Sequence, residues 1–170
     1  MEIGRNYVYN IEKDKVMWYN FNIYQKGGRY MYRALDLAKY IVTTCNEDKK
    51  AISNLQLQKI LYFIQKSFLK LGKQAFSDEI EAWQFGPVIP EVYYYFCGYG
   101  ATPIRASYPK SSVRTEDKEI IDEIVKNKRK LNPWELVEQT HNKNGAWDKV
   151  YLDGLGNRDI IPISLIKEES

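Results

Sequence analysis

His141, the only histidine of this 170-residue chain, is the first residue to consider for acid–base chemistry. Histidine can act as a general base near neutral pH, but metal sites and most serine or cysteine relays need further partners at a suitable spacing. His141 closes the segment "NPWELVEQTH", at the carboxyl end of an expected helix, where a positive charge is favoured. We therefore predict a structural cap, with a catalytic base as the alternative.

The two cysteines give little sign of redox, metal or nucleophilic chemistry. Cys45 and Cys97 are far apart and neither has a CxxC partner, which argues against a zinc site or a disulfide framework and fits a reducing cytoplasm. Free cysteines are mostly buried and act as small apolar fillers. Cys97 is therefore expected to pack inside the protein and not to act as a nucleophile.

Three neighbouring carboxylates could form a metal or acid–base cluster. If residues 78–81 are extended, alternation places Glu79 and Glu81 on one face while Asp78 points away. Two carboxylates without a third ligand or a histidine are more typical of a solvated face, or of partners for lysine and arginine. We predict no metal site, no cofactor and no catalytic residue in this chain.

A basic run, "KNKRK" at residues 126–130, precedes Trp134 and could bind RNA, because bases stack on aromatic rings beside positive charge. The net charge of +3 includes +2 from the first thirty residues, which leaves only +1 for the remainder. A nearly neutral body is poorly suited to phosphates. We favour a helix end with charges that suit the helix dipole, and an RNA-binding regulator is the alternative.

Helical periodicity dominates the chain after Met31. A first helix is predicted to about Asn46, and its buried stripe comprises Ala34, Leu37, Ala38, Ile41 and Cys45. A second, central helix is predicted from a capping box of Ser53 and Gln56 to Gly72, and its stripe comprises Leu57, Ile60, Leu61, Phe63, Ile64, Phe68 and Leu71. Further helices are predicted with Thr115 as one N-cap and with Asn132, followed by Pro133, as another.

The first thirty residues differ from the rest, since they contain no Ala, Leu, Ser, Thr or Pro. "VMWYNFNIY" alternates as a strand does, and "EKDK" before it can turn a hairpin. Alternatively, the codons of "KGG" can spell a ribosome-binding site upstream of Met31, so that Met31 is the physiological start. We therefore predict an N-terminal extension at residues 1–30 and a compact helical domain at residues 31–170, mainly α with a small β hairpin or short strand.

The segment "EAWQFGPVIPEVYYYF" combines many rings with a chain reversal. Gly86-Pro87 predicts a turn, and Pro90 predicts the first turn of a short helix. On that helix Val92, Tyr95 and Phe96 are expected to face the core. Three consecutive tyrosines cannot all point inward at 3.6 residues per turn, so at least one ring lies on the surface, where tyrosine is a frequent interface anchor. The residues predicted to bind a partner are Gln84, Tyr93, Tyr94 and Tyr99.

Several stretches resemble one known family in sequence and in order. They are "ALDLAKYIV", "ISNLQLQKILYFIQKSFL", "FSDEIEAWQFGPVIPEVYYYF" and "NPWELVEQTHNKNGAW". Between about Tyr32 and Ile161 the chain resembles the Panacea domain, the SocA-like antitoxin family that also includes GepA-type phage and prophage proteins. One departure is Ala146, where the family commonly has proline.

The resemblance implies a small helical domain without enzymatic activity that acts in the cytoplasm. It implies the antitoxin of a toxin–antitoxin pair, which neutralises a protein toxin, encoded by an adjacent gene, through direct binding. A protease adaptor that delivers its toxin to a host protease, or a phage-encoded interaction module, is the alternative; membranes are not expected as partners, and nucleic acid is disfavoured. The family's recurrent residues are expected to be fold determinants: Trp83, Gly86, Pro87, Pro90, Glu91, Thr140, His141 and Trp147.

Overall fold

Helices make up most of the chain that the structure describes. The computed structural model describes residues 31–110 and 112–169, and this part contains seven α-helices and one two-stranded antiparallel sheet. The predicted fold class, mainly α with a small β element, is confirmed. The predictions for residues 1–30 lie outside the described residues. No described helix has both the length and the apolar character that a membrane span requires.

The elements follow the order expected from the sequence. The helices are α1 (Ala34–Glu47), α2 (Asn54–Lys70), α3 (Pro90–Phe96), α4 (Thr115–Lys128), α5 (Pro133–Thr140), α6 (Ala146–Tyr151) and α7 (Ile163–Glu168). Strands β1 (Glu81–Trp83) and β2 (Gly86–Val88) form a hairpin between α2 and α3. Helix α2 contacts α1, α3, α4, α5, α7 and strand β2, so it is the centre of the core.

Local capping fixes both ends of α2. The Ser53 hydroxyl accepts the Gln56 N–H at 3.3 Å, and the Gln56 side chain accepts the Ser53 N–H at 3.0 Å, which confirms the predicted capping box. At the other end Gly72 adopts φ +72°, and its N–H bonds to the carbonyl of Leu69. The helix stops at Lys70, so Leu71 leaves the apolar stripe and is 59% exposed; its predicted burial is wrong.

The start of α4 differs from the prediction. The N-cap is Arg114 and not Thr115. Thr115 is the first residue of the helix, and the backbone of Arg114 before it is extended. The Arg114 guanidinium bonds to buried Asp117, which also accepts the Tyr32 hydroxyl at 2.6 Å and the Lys73 ammonium. Burial alone would raise the pKa of the Asp117 carboxyl, but these hydrogen bonds lower it overall. This network joins the entry of α1 and the exit of α2 to α4.

Candidate functional site

The hairpin ends in a two-residue turn of Gln84 and Phe85. Trp83 pairs with Gly86 and Ala82 with Pro87, so the predicted turn at Gly86-Pro87 is misplaced. Those two residues begin strand β2, where a proline is tolerated because β2 is an edge strand. Gly86 adopts φ +97°, a conformation that favours glycine, and Gln84 and Phe85 in the turn have no positive φ. This explains why the glycine follows the turn.

Two exposed rings meet at the tip of this hairpin. Phe85 is 45% exposed and Trp134 61% exposed, and their rings contact edge to face with centroids 5.4 Å apart. The position of Trp134 is set by the N-cap of α5, since the Asn132 side chain accepts the backbone N–H groups of Trp134 and Glu135 at 2.9 and 3.1 Å. The predicted cap at Asn132, with Pro133 in the first helical position, is confirmed.

A second group of rings joins the hairpin to α3. The Trp83 ring lies 4.8 Å from Tyr93 and 6.2 Å from Tyr94, centroid to centroid, and Tyr94 is 55% exposed. The Arg158 guanidinium lies 4.7 Å from the Trp83 ring, at cation–π distance. Asn54, in the first turn of α2, donates to the Tyr93 carbonyl at 3.0 Å and so ties α3 to α2. We call the two groups together the aromatic surface: Trp83, Phe85, Tyr93, Tyr94 and Trp134.

Three of the four residues predicted to bind a partner belong to this region. Gln84 is exposed in the turn, Tyr94 is exposed, and Tyr93 is half-buried between Trp83 and Tyr94. Tyr99 lies elsewhere, with its hydroxyl donating to the Arg105 carbonyl at 3.5 Å.

Sequence reasoning missed Phe85, because the turn was placed after it. It also considered Trp134 only as a platform for RNA bases, and did not connect it with the hairpin. The predicted burial of Tyr95 is wrong, since Val92 and Phe96, four residues apart, fill the inner face of α3 and Tyr95 remains 48% exposed. Tyr95 contacts Tyr108 instead, away from the aromatic surface.

A buried lysine supports the hairpin from below. Lys59 of α2 is fully buried and donates to the Pro87 carbonyl at 2.8 Å, while the neighbouring Gln58 accepts the Ile89 N–H at 2.9 Å. No acidic side chain in the described part of the chain pairs with Lys59. Burial lowers the pKa of the Lys59 ammonium to about 7, because the charged form loses its hydration.

Several of the residues that were expected to be fold determinants lie around this lysine. A Cβ atom on Gly86 would lie 2.6 Å from Thr140 Oγ1 and 2.9 Å from Lys59 Nζ, so the hairpin can approach α2 and α5 this closely only with glycine there. Thr140 is buried and donates to the Val137 carbonyl at 2.9 Å. The Trp147 indole donates to the Trp83 carbonyl at 2.9 Å, which ties α6 to the hairpin.

Pro90 and Glu91 lie at the start of α3. Pro90 takes its first helical position, and Glu91 pairs with Arg33 across 2.7 Å, an exposed ion pair that links α3 to the start of α1. Such a pair contributes about 0–1 kcal/mol, so the link orients more than it stabilises.

His141 is the C-cap of α5, as expected, but not for the expected reason. Its ring is parallel to that of Trp147 at a centroid distance of 3.6 Å, and Trp147 stacks in turn on Tyr151. Burial and the positive charge of Lys59 lower the pKa of His141, although Asp148 opposes this. The imidazole is therefore a neutral stacking ring at neutral pH, and not a cation that interacts with the helix dipole.

The other candidate chemical groups are dispersed. Cys97 is exposed, so its predicted burial is wrong: it follows Phe96, which already fills the core at the end of α3. Asp78 accepts the Ala34 N–H at 3.0 Å, at the start of α1, and Glu81 accepts the Trp83 indole N–H at 2.7 Å. Across residues 31–110 and 112–169, no three acidic, histidine or cysteine side chains form a group suited to a metal ion.

The basic run is partly engaged within the protein. Arg129 pairs with Asp48 at 2.6 Å, and Lys128 lies 3.8 Å from the centre of the Phe63 ring and donates to Gln139 at 2.6 Å. Of the five residues 126–130, these two are therefore not available to bind phosphates, which weakens the RNA-binding alternative.

Lys59 makes a pH-dependent contribution to stability that can be tested by Lys59→Met. The folded-state pKa of about 7 is below the ordinary value of 10.5, so the unfolded chain binds more protons between these values and stability rises with pH there. From pH 7 to about pH 9, the free energy of unfolding should rise by about 2 kcal/mol more in the parent than in the variant. Urea unfolding at both pH values measures this, and parallel pH dependences would contradict it.

Comparison with known proteins places this arrangement in a family. The sequence profile described as "Antitoxin SocA-like, Panacea domain" matches residues 57–148, more than half of the chain, and this range includes Lys59 and the whole aromatic surface. Antitoxin SocA of Caulobacter vibrioides (strain NA1000 / CB15N) is 32% identical over 112 residues. That alignment covers 58% of this chain and 60% of the relative, which is less than two thirds of the relative's length. No solved structure matches. The chain belongs to the SocA-like antitoxin family of Panacea domains.

Proposed function

We propose that this protein is the antitoxin of a toxin–antitoxin pair and that it neutralises a protein toxin by binding it directly. Family membership and the relative named Antitoxin SocA support the antitoxin role. The observation that carries direct binding is the aromatic surface, whose two most exposed rings, Tyr94 and Trp134, are 55% and 61% exposed. Tryptophan and tyrosine are the residue types that most often dominate the binding energy of protein interfaces.

The rings of the aromatic surface are held in place before any partner arrives. Phe85 rests against Trp134, and Tyr93 and Tyr94 rest against Trp83. The hairpin below them is fixed by the bond from Lys59 to Pro87 and by the bond from Trp147 to Trp83. Binding therefore costs little side-chain entropy, and the apolar area that becomes buried contributes more fully to affinity.

Neutralisation by this route is stoichiometric and requires no chemical step. The aromatic surface would cover the toxin's active or ribosome-contacting region for as long as the complex lasts. The partner is proposed to be the product of an adjacent gene, and the site of action the cytoplasm. A protease adaptor would use the same surface, but it would lower the amount of toxin instead of storing it in a stable complex.

Co-expression with the neighbouring gene tests the proposed function. We expect that gene to arrest growth alone, growth to recover when this protein is present, and the two proteins to co-purify. The antitoxin role is contradicted if the neighbouring gene is harmless or if growth arrest persists. Recovery that is accompanied by loss of the toxin, and that disappears in a strain lacking the host protease, would replace direct neutralisation by delivery for degradation.

A further inference from the structure

A second feature of the described surface lies where α1 ends. A concavity of about 370 Å³ is lined there by Asn46, Lys49, Lys50, Ala51, Pro103 and Arg105. Three of these six residues are cations. This is a high local density, because the sequence from residue 31 onward has a net charge of only +1.

The acidic groups next to this concavity are already neutralised by other partners. Glu47 pairs with Lys110 at 2.7 Å, and Asp48 pairs with Arg129 at 2.6 Å. Among the described residues, no ion pair involves the three cations that line the concavity. Their positive charge is therefore directed to the solvent or to a partner.

Backbone hydrogen bonds hold both walls of the concavity in place. The Lys50 N–H bonds to the Cys45 carbonyl at 2.8 Å, and Lys49 adopts φ +55° as the chain leaves α1. On the opposite wall the Ile104 N–H bonds to Ile52 at 2.8 Å, and the Asn46 side chain donates to the Ile104 carbonyl at 2.9 Å. The cations thus extend from a fixed frame, and a partner need not order a loop.

The concavity and the aromatic surface are both attached to the beginning of α2. Ile52 binds the wall that carries Arg105, and Asn54, two residues later, binds the Tyr93 carbonyl. One short segment, residues 52–54, therefore connects the frames of the two surfaces. Protein interfaces commonly combine an aromatic centre with a charged rim.

We propose that Lys49, Lys50 and Arg105 bind a segment of the partner protein that is rich in aspartate and glutamate, beside the aromatic surface. This inference rests on the proposed function. Arginine can bind a carboxylate with two hydrogen bonds, and lysine adds a mobile point charge. The observations favour carboxylates over nucleic acid, since no aromatic ring lines the concavity for bases to stack on and the surrounding protein is nearly neutral.

Charge reversal tests this inference through the kinetics of association. We would compare the parent with the triple variant Lys49→Glu, Lys50→Glu, Arg105→Glu, using the purified product of the neighbouring gene and a range of salt concentrations. Opposite charges mainly accelerate encounter, so the association rate constant at low salt should fall at least about tenfold and its salt dependence should flatten. A control reverses three other exposed lysines, Lys118, Lys126 and Lys167, and should change the rate far less.

Each outcome decides a separate question. Unchanged association in the triple variant, or an equal effect in the control, would overturn the acidic-segment inference while leaving the proposed function intact. Absence of any complex with the parent protein would overturn both. A single-stranded RNA oligonucleotide that binds the parent tightly and loses binding in the triple variant would assign the concavity to nucleic acid instead. The neutral variant Lys49→Gln, Lys50→Gln, Arg105→Gln should associate at an intermediate rate. If the charge-reversal variant unfolds, the neutral variant is measured in its place.

Discussion

Trp134→Ala is expected to weaken binding of the partner protein by about 30- to 1,000-fold, which corresponds to about 2–4 kcal/mol. The indole is 61% exposed and rests on Phe85 at the tip of the hairpin, so its removal takes away contact area without opening the core. The fold should remain intact, because the cap from Asn132 binds the backbone of Trp134 and not its ring. The dissociation constant of the purified complex measures this effect.

Two neighbouring tyrosines of α3 provide a matched control. Tyr94 and Tyr95 are 55% and 48% exposed, but only Tyr94 belongs to the aromatic surface. We expect Tyr94→Ala to weaken binding at least about tenfold, and Tyr95→Ala to leave it nearly unchanged. Equal effects of the two substitutions, or normal affinity in the Trp134 variant, would show that the partner binds another face.

Gly86→Ala should destabilise the protein by about 3–5 kcal/mol, a large part of the 5–15 kcal/mol that is usual for a domain. Two costs combine. The backbone at φ +97° is unfavourable for any residue with a Cβ atom, and that atom would lie 2.6 Å from Thr140 Oγ1 and 2.9 Å from Lys59 Nζ. Urea unfolding at neutral pH measures the change.

Two other glycines separate these costs. Gly98 has no atom within 4 Å of an added Cβ and no positive φ, so Gly98→Ala should be nearly neutral. Gly100 has φ +55° but equally open space, so Gly100→Ala should show the backbone cost alone, about 1–3 kcal/mol. Adding Thr140→Ala to Gly86→Ala should cost less than the two separate losses together. If Gly86→Ala costs no more stability than Gly100→Ala, the close approach of the hairpin to α2 and α5 is refuted.

Much of the helical framework could be predicted because its signals are local. The Ser53–Gln56 capping box, Gly72 after α2 and Asn132 before α5 each act within a few residues, and all three are found where expected. Thr115 shows the limit of such signals. Thr115 is of good capping type, yet it is the first residue of α4, and the N-cap is Arg114, whose side chain belongs to the long-range network of Asp117 and Tyr32.

The candidate site could be predicted only in part, since its main contacts join residues far apart in the chain. The tyrosines of α3 attracted attention through their number, and the prediction of a surface ring holds for Tyr94. The pairing of Phe85 with Trp134 bridges almost fifty positions, and no local pattern indicates it. Lys59 lies within an ordinary amphipathic helix, and only the packing of Gly86 against it reveals a buried amine.

The location of the partner on this protein tests the central claim most directly. Hydrogen–deuterium exchange of the purified complex, compared with the free protein, would show which backbone amides the partner protects. We predict slower exchange in residues 83–95 and 132–136, which carry the aromatic surface, and unchanged exchange in α7, which carries none of its residues. Protection confined to other segments, with those two ranges exchanging as in the free protein, would contradict the account.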